Sequence, residues 1–494
     1  MLKEDQKPVH VGRRDFIKAT TLASMAGTFP GASLLAQDNP VSSRPRNAGR
    51  TRKLIFASDS PKNYEKLIES IKSIREFDFA VIPIQVNLQQ KPEEIAKAIR
   101  EQGADILLMI LPRVTNVSGN IAASMGDVNI PVVLFPINLD LIMLEADLAA
   151  AFRARGTNAM LANSEAHVIE LLKVAATPGV LEGKRALIFG RPFDSSSVPA
   201  RNLNEDYIYR RTGLRIGYRP IDELMPLLEK VSEASAAKEM DRWKKEAANI
   251  VEPSDKAILD AARMYVLLRS IVDQENLSAI SIDCLSFSFS GKPPLPLPCL
   301  AFTRLRDEGF TVPCEADVVG LLSSMLLQEI SQKPSYFCNV SEVNEQKSSA
   351  VLRHCVAPLR LMGRNAPPLA YNLRDYHGLG RGVTPEVEFP MGLDVTLGLF
   401  SKDLKSFVVW PGKTQPRVKD TDRPSFANAT GAAAKMRRYC SNHLEIKVKS
   451  VDSFIQNIAG CHHVMVAGTY AKALREEMLR MGVNLIGPSE IGSA

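Results

Sequence analysis

With 494 residues, 45% of them hydrophobic, the chain is long enough for more than one buried core, and roughly two to four domains are expected. Aromatic residues make up 6% and Trp occurs twice, a content ordinary for α/β enzymes and thin for sugar-binding β-sandwiches. The formal charge of +6 is concentrated at the start: ten of the 61 Lys and Arg and four of the 55 Asp and Glu fall in the first 53 residues, which leaves 51 of each sign in the body and no nucleic-acid footprint.

In chain order, GRRDFIKATTLASMAGTFPGASLLAQ comes first, with the basic start, weakly apolar middle and small-residue end of a secretory signal. Arg13-Arg14 followed by Asp15-Phe16-Ile17-Lys18 resembles the twin-arginine consensus. Gly27, Pro30 and Gly31 interrupt the middle, and no run of 18 apolar residues occurs anywhere, so no transmembrane segment is expected. The expectation is a signal over residues 1–36, a polar linker over 37–52 and a periplasmic or extracytoplasmic location; the alternative is a disordered basic tail. Twin-arginine export carries folded protein, so a metal can be loaded before export. The seven Cys, an odd number without a C-x-x-C pair, then need no disulfide framework and read mostly as small buried apolar residues.

From Lys53, KLIFAS, FAVIPIQV, ADILLMIL and IPVVLFPIN read as strands, with helices NYEKLIESIKSIRE and PEEIAKAIREQG between the first three. Continuous apolar runs separated by amphipathic helices indicate a parallel sheet covered on both faces, a domain over 53–180. LEADLAAAFRARG and SEAHVIELLKVAATP read as one long helical stretch. A second α/β domain, 181–346, opens with strand RALIFG, carries helices through DELMPLLEKVSEASAAKEMDRWKKEAANIV and PSDKAILDAARMYVLLRSIVDQEN, and reaches strand AISIDCLSF. It closes with helices AFTRLRDEGF and DVVGLLSSMLLQEIS and the short strand YFCNV. After about Lys347 the segments AVLRHCVA, EVEFPMGLDVTLGLF, KSFVVWPG and HLEIKVK alternate as antiparallel strands do, and HHVMVAG, YAKALREEMLRMG and VNLIG end the chain. The fold class is therefore α/β: two doubly wound parallel-sheet domains followed by an antiparallel β-barrel-like domain over 347–494.

Four stretches gather the ionisable groups of interest: CEADV, YFCNVSEVN, LRHCVAP and GCHHVMVAG. Three of the seven His fall in them. Carboxylates with one or two imidazoles suit a hard-to-borderline divalent cation such as Mn²⁺. His462 and His463 are neighbours on a strand and point to opposite faces, so only one reaches a given site. Taken singly, each residue also has a bland reading; Glu315, for instance, is a common kind of helix N-terminal charge. Asp283 ends strand AISID, at the carboxyl edge where open parallel sheets place site residues, or it caps the following loop. Asp375, His377 and Arg381 lie in the glycine-punctuated loop NLRDYHGLGRG, a candidate substrate-binding loop or a solvent-exposed turn. No G-x-S-x-G, Walker loop or Cys with an obvious His partner is apparent.

The stretch CEADVVGLLSSMLLQEISQKPSYFCNVSEVNEQKSSAVLRHC resembles the core of the L-fucose/L-arabinose isomerase superfamily, with its acidic C-E-[GA]-D element and its apolar strand closing in His-Cys. LEGKRALIFGRPFDSSSV with RTGLRIGYRPIDEL resembles the family's second-domain opening, DVTLGLFSKDLKSFVVWPGKT its barrel, and GCHHVMVAGTYAKALREEMLRMGVNLI its terminal histidine strand, so the likeness runs from about 53 to 488. The resemblance implies a Mn²⁺ ion, or another divalent cation, that binds two neighbouring oxygens of an open-chain pentose or deoxyhexose. It also implies aldose–ketose conversion through an enediol, and a trimer or hexamer.

Carried over by position, Glu315 matches the first acidic ligand and proton shuttle, His354 the histidine of the His-Cys element and His462 the terminal histidine. The second acidic position falls on Asn339, which could ligate a cation but has no titratable proton and cannot serve as a general base. Glu342 would substitute if its strand ended early. Three readings follow: a metal-dependent isomerase, a sugar-binding or sensory protein on the same scaffold, and an altered carbohydrate enzyme such as an epimerase or lyase.

Overall fold

The computed structural model describes residues 51–75, 77–86, 91–111, 130–136, 142–155, 157–192, 203–288, 295–416 and 440–488. The twin-arginine expectation and most of the GRPFDSSSV loop lie outside them.

The first sheet holds β1 (Arg52–Ser58), β2 (Phe79–Gln85), β3 (Ile106–Ile110), β4 (Val132–Leu134) and β5 (Ala159–Leu161) in the order β2-β1-β3-β4-β5, every pairing parallel. Its apolar runs divide by parity. Ile55, Ala57, Leu107 and Met109 meet helices Pro92–Glu101 and Met143–Ala154 on one face. Leu54, Phe56, Ile106 and Leu108 meet helices Glu65–Lys72 and Glu165–Ala176 on the other. Burial of both faces is why these strands are continuously apolar. Helix Pro92–Glu101 starts with Pro at its first turn and Glu93 and Glu94 behind it, suited to the positive helix end, and buries one stripe of Ile95, Ala96 and Ile99. The long helical stretch expected over 144–178 is interrupted: β5, only three residues, separates two helices.

A second parallel sheet, β7-β6-β9, is built from β6 (Arg185–Phe189), β7 (Arg215–Arg219) and, after the short β8 (Asn249–Ile250), β9 (Ala279–Ile282). A third element is a closed six-stranded antiparallel barrel. In chain order its strands are β10 (Tyr336–Asn344), β11 (Ser349–His354), then β12 (Tyr371–Arg374) and β13 (Thr384–Val387) outside it, β14 (Asp394–Phe400), β15 (Ser406–Thr414), β16 (Asn442–Val448) and β17 (His462–Ala467). The ring runs β14-β17-β10-β11-β16-β15 and closes through β14–β15, while β18 (Asn484–Ile486) adds to β15 in parallel. β12 pairs with β13 and β8 in a small separate sheet. β10 is thus a barrel strand, ahead of the change in character read at about Lys347.

Alternation decides what each barrel strand offers. Tyr336 and Cys338 of β10, and Met465 and Ala467 of β17, fill the interior with Leu352, Leu397, Trp410 and Ile446. Phe337, Val464 and Val466 point outward into the core shared with the second sheet and with helix Val318–Ser331. That helix, apolar on nearly every side, lies between the barrel wall and β9. Among the described residues no helix is long and apolar enough to cross a membrane.

Candidate metal centre

Glu315 sits in the turn between the second sheet and helix Val318–Ser331, and its backbone is in the left-handed region (φ 67°), as is that of Ala316 (φ 55°). For residues with a Cβ this costs on the order of 1–3 kcal/mol each, and such strain persists only where surrounding contacts fix it. Here Ser281 of β9 fixes it: its buried Oγ donates to the Pro313 carbonyl (2.7 Å) and accepts from the Ala316 amide (3.1 Å). The turn ends at Asp317, the N-cap of the helix, whose Oδ1 accepts from the Gly320 amide at 2.8 Å.

The barrel supplies the histidines. His462 opens β17, and its Nδ1 lies 2.7 Å from Asp317 Oδ2 while its Nε2 lies 3.4 Å from Glu315 Oε2. His354 closes β11, with its Nε2 3.7 Å from Glu315 Oε1. One carboxylate therefore faces both imidazoles. The Phe337 ring packs against His462 and His354, with centroids 4.5 and 5.2 Å away. One ligand atom from each of Glu315, His354 and His462 falls in a group whose members all lie within 4.8 Å of one another.

Burial alone would raise the pKa of Glu315, but the His354 and His462 imidazoles outweigh it and hold the carboxyl well below the usual range. Burial lowers the pKa of His462, and contact with Asp317 and then Glu315 reverses this and lifts it to about 10. His354, fully enclosed, moves down, burial exceeding the pull of Glu315.

A divalent cation fits these residues. Bonds of about 2.0–2.2 Å place two ligands of one ion no more than roughly 4.4 Å apart, and the 3.4 and 3.7 Å separations suit that spacing. The Nε2 atoms of both rings face the carboxylate, and Asp317 fixes the far side of His462, the carboxylate–histidine arrangement that orients metal ligands. An O,N,N donor set suits a hard-to-borderline ion.

Asn339 lies on β10 directly opposite His462 in the strand register, on the same face of the sheet and half-buried. β10 does not end early: it runs to Asn344 through a bulge between Val340 and Glu342, and Glu342 pairs with Arg353 Nη2 at 2.8 Å, away from the substitute role. His463 points into the barrel, next to Phe454, as strand alternation requires. Asp283 does stand at the carboxyl edge of β9, where its oxygens accept from the amides of Arg191 and Ser286, the loop-capping arrangement. Asp375 and His377 are buried rather than on an exposed turn, and both Asp375 oxygens accept from the loop's own Gly378 and Gly380 amides. The Cys–His pair that was not apparent in the sequence exists: His377 Nε2 lies 2.7 Å from Cys355 Sγ. The sequence does not single out Asp317, Ser281 or Phe337 either. Only Asp317 left a signal, as the last acid of the CEAD element.

Fold and centre together define an α/β protein whose antiparallel barrel and second parallel sheet jointly present a carboxylate–imidazole site of metal-binding type. No family model matches the chain. It is 22% identical over 155 residues to the sulfoquinovose isomerases of Priestia aryabhattai and Priestia megaterium, covering 31% of this chain and 34% of theirs. It is 29% identical over 137 residues to the sulfoquinovose isomerase of Alkalicoccus urumqiensis, covering 26% of this chain and 30% of that one. The chain thus spans about a third of the length of the curated relatives it matches.

Proposed function

We propose that this chain is an aldose–ketose isomerase acting on an open-chain sugar, with a divalent cation, Mn²⁺ or a similar ion, held by Glu315, His354 and His462. The observation that carries this reading is the convergence of those three side chains, from a strained turn and two barrel strands, within 4.8 Å. The partial similarity to proteins named sulfoquinovose isomerase supports the same reaction class. The cation would hold two neighbouring sugar oxygens and polarise the carbonyl.

The protein's own groups do the rest. Glu315, whose carboxyl lies well below the usual range beside the two imidazoles, is the group that takes a proton from C2 and returns it to C1 while a hydroxyl proton passes from O2 to O1. Asp317 holds the His462 ring, so that Nε2 and not Nδ1 is presented to the site. Phe337 covers one side of both rings and keeps water from them. Asn339, in register with His462, can hydrogen-bond a sugar hydroxyl but moves no proton. That single observation favours a second reading, a sugar-binding protein without turnover on the same scaffold.

Incubation with L-fucose, L-arabinose and sulfoquinovose in deuterated water, followed by NMR, separates the two. Interconversion with deuterium entering at the exchanging carbon is expected, and Glu315→Gln should lower its rate by about 10²–10⁴-fold. Ligand-induced thermal stabilisation without exchange in any of the three would replace the isomerase with the binding protein.

A further inference from the structure

Beside the first centre, three other ligand-type side chains converge that the isomerase reading does not use. Cys355 follows His354 directly and is buried, His377 belongs to the loop between β12 and β13, and Cys440 lies two residues before β16. One ligand atom from each falls within 4.8 Å of the others. We propose that Cys355, His377 and Cys440 form a second cation site, selective for a thiophilic divalent ion of the zinc class.

The surrounding structure is built to hold these groups together. His377 is held in the left-handed region (φ 54°), a conformation uncommon for residues that carry a Cβ. The constraint is the loop itself: Asp375 gathers the Gly378 and Gly380 amides, and the Tyr376 amide donates to the Arg381 carbonyl at 2.9 Å. Asn442 then ties the three segments to one another. Its Nδ2 donates to the carbonyls of Cys355 (3.2 Å) and Pro385 (2.9 Å), and its Oδ1 accepts from the Val387 amide (2.9 Å). Ser441, next to Cys440, shares a 2.9 Å hydroxyl contact with Thr384 of β13. These contacts fix the backbone of all three segments around the two thiols and the imidazole.

Chemistry chooses the ion. Zinc takes thiolate sulfur at about 2.3 Å and imidazole nitrogen at about 2.0–2.1 Å, so tetrahedral ligands of one ion lie roughly 3.5–3.8 Å apart; Cys355 Sγ and His377 Nε2, hydrogen-bonded at 2.7 Å, would have to open to that spacing to take up the ion. Three protein ligands leave a fourth tetrahedral position open. The S,S,N set prefers a softer ion than the O,N,N set of Glu315, His354 and His462. Two consecutive residues, His354 and Cys355, thus serve two centres of different softness.

The test uses the full chain, purified under reducing conditions, stripped with a chelator and titrated with Co²⁺ and Zn²⁺. Cobalt should produce thiolate-to-metal charge-transfer absorption at one equivalent, which zinc displaces. The absorption should vanish in Cys355→Ser and Cys440→Ser and persist in Glu315→Gln. In the unmodified chain, zinc should protect Cys355 and Cys440 from alkylation, mapped by mass spectrometry, while exposed Cys461 reacts throughout. This second readout does not depend on any variant folding. Absence of the charge-transfer band, alkylation unaffected by zinc, or a Cys355–Cys440 disulfide in place of metal binding would each overturn the proposal.

Discussion

At the residue scale, adjacent His462 and His463 show how completely a strand separates two identical side chains. His462 turns out to the two carboxylates and is lifted to about 10, whereas His463 turns into the barrel and is pushed down to about 4, by burial first and then by the charge on His462. The folded chain therefore keeps the His463 ring neutral to about pH 4, while an unfolded His takes up a proton near 6.5. The unfolded state binds more protons in that interval, so stability present above about pH 6.5 is lost as pH falls towards 4. Urea midpoints at pH 7.5 and 4.5 should converge in His463→Leu relative to the parent, by up to about 3 kcal/mol of the acid-side loss. An unchanged difference would remove His463 as its source.

At the scale of elements, helix Val318–Ser331 is the part that joins turn, barrel and centre. Its N-cap Asp317 divides its two oxygens between Gly320 and His462, and Gly320 lets the Phe337 ring lie against the helix. A methyl group added at Gly320 would collide with that ring. Ala is the better helix former by about 1 kcal/mol, but overpacking a filled core costs about 1–3 kcal/mol and is expected to win. Gly320→Ala should therefore lower the melting temperature and, by moving the ring that supports both imidazoles, weaken cation binding by roughly 10–100-fold, as loss of a ligand's supporting contact does. Calorimetry of the variant checks both; a more stable protein that binds as tightly would show that Phe337 has no part in positioning the histidines.

Elements also mark the limit of what is legible in sequence. The five-stranded sheet announces itself through long apolar runs, except for β5, whose three residues are too few to interrupt a helical pattern. Glu315, His354 and His462 stand out in the sequence only through the resemblance of the stretches that carry them, since each taken singly has a bland reading. Asp317 meets His462 across 145 residues of chain, and His377 meets Cys355 only because β12 and β13 form a separate small sheet outside the barrel. No local periodicity encodes either meeting, and the β14–β15 pairing that closes the barrel becomes visible only once the ring order is known.

On the scale of the whole molecule, the centre depends on two different architectures being brought together. The parallel sheet supplies a carboxylate through a strained turn pinned by Ser281, and the antiparallel barrel supplies two imidazoles through strands whose inner faces are filled with apolar side chains. Neither part holds a ligand set alone. The body of the chain carries 51 residues of each charge sign, so the proposed cation would be drawn by this local cluster and not by a global field. Metal analysis of the chelator-stripped, Mn²⁺-reloaded chain, with Glu315→Gln and His462→Gln beside it, tests this most directly. The parent should retain Mn²⁺ at one ion per chain and both variants, folded by circular dichroism, should lose it; equal retention of Mn²⁺ in all three would contradict a shared centre at Glu315, His354 and His462.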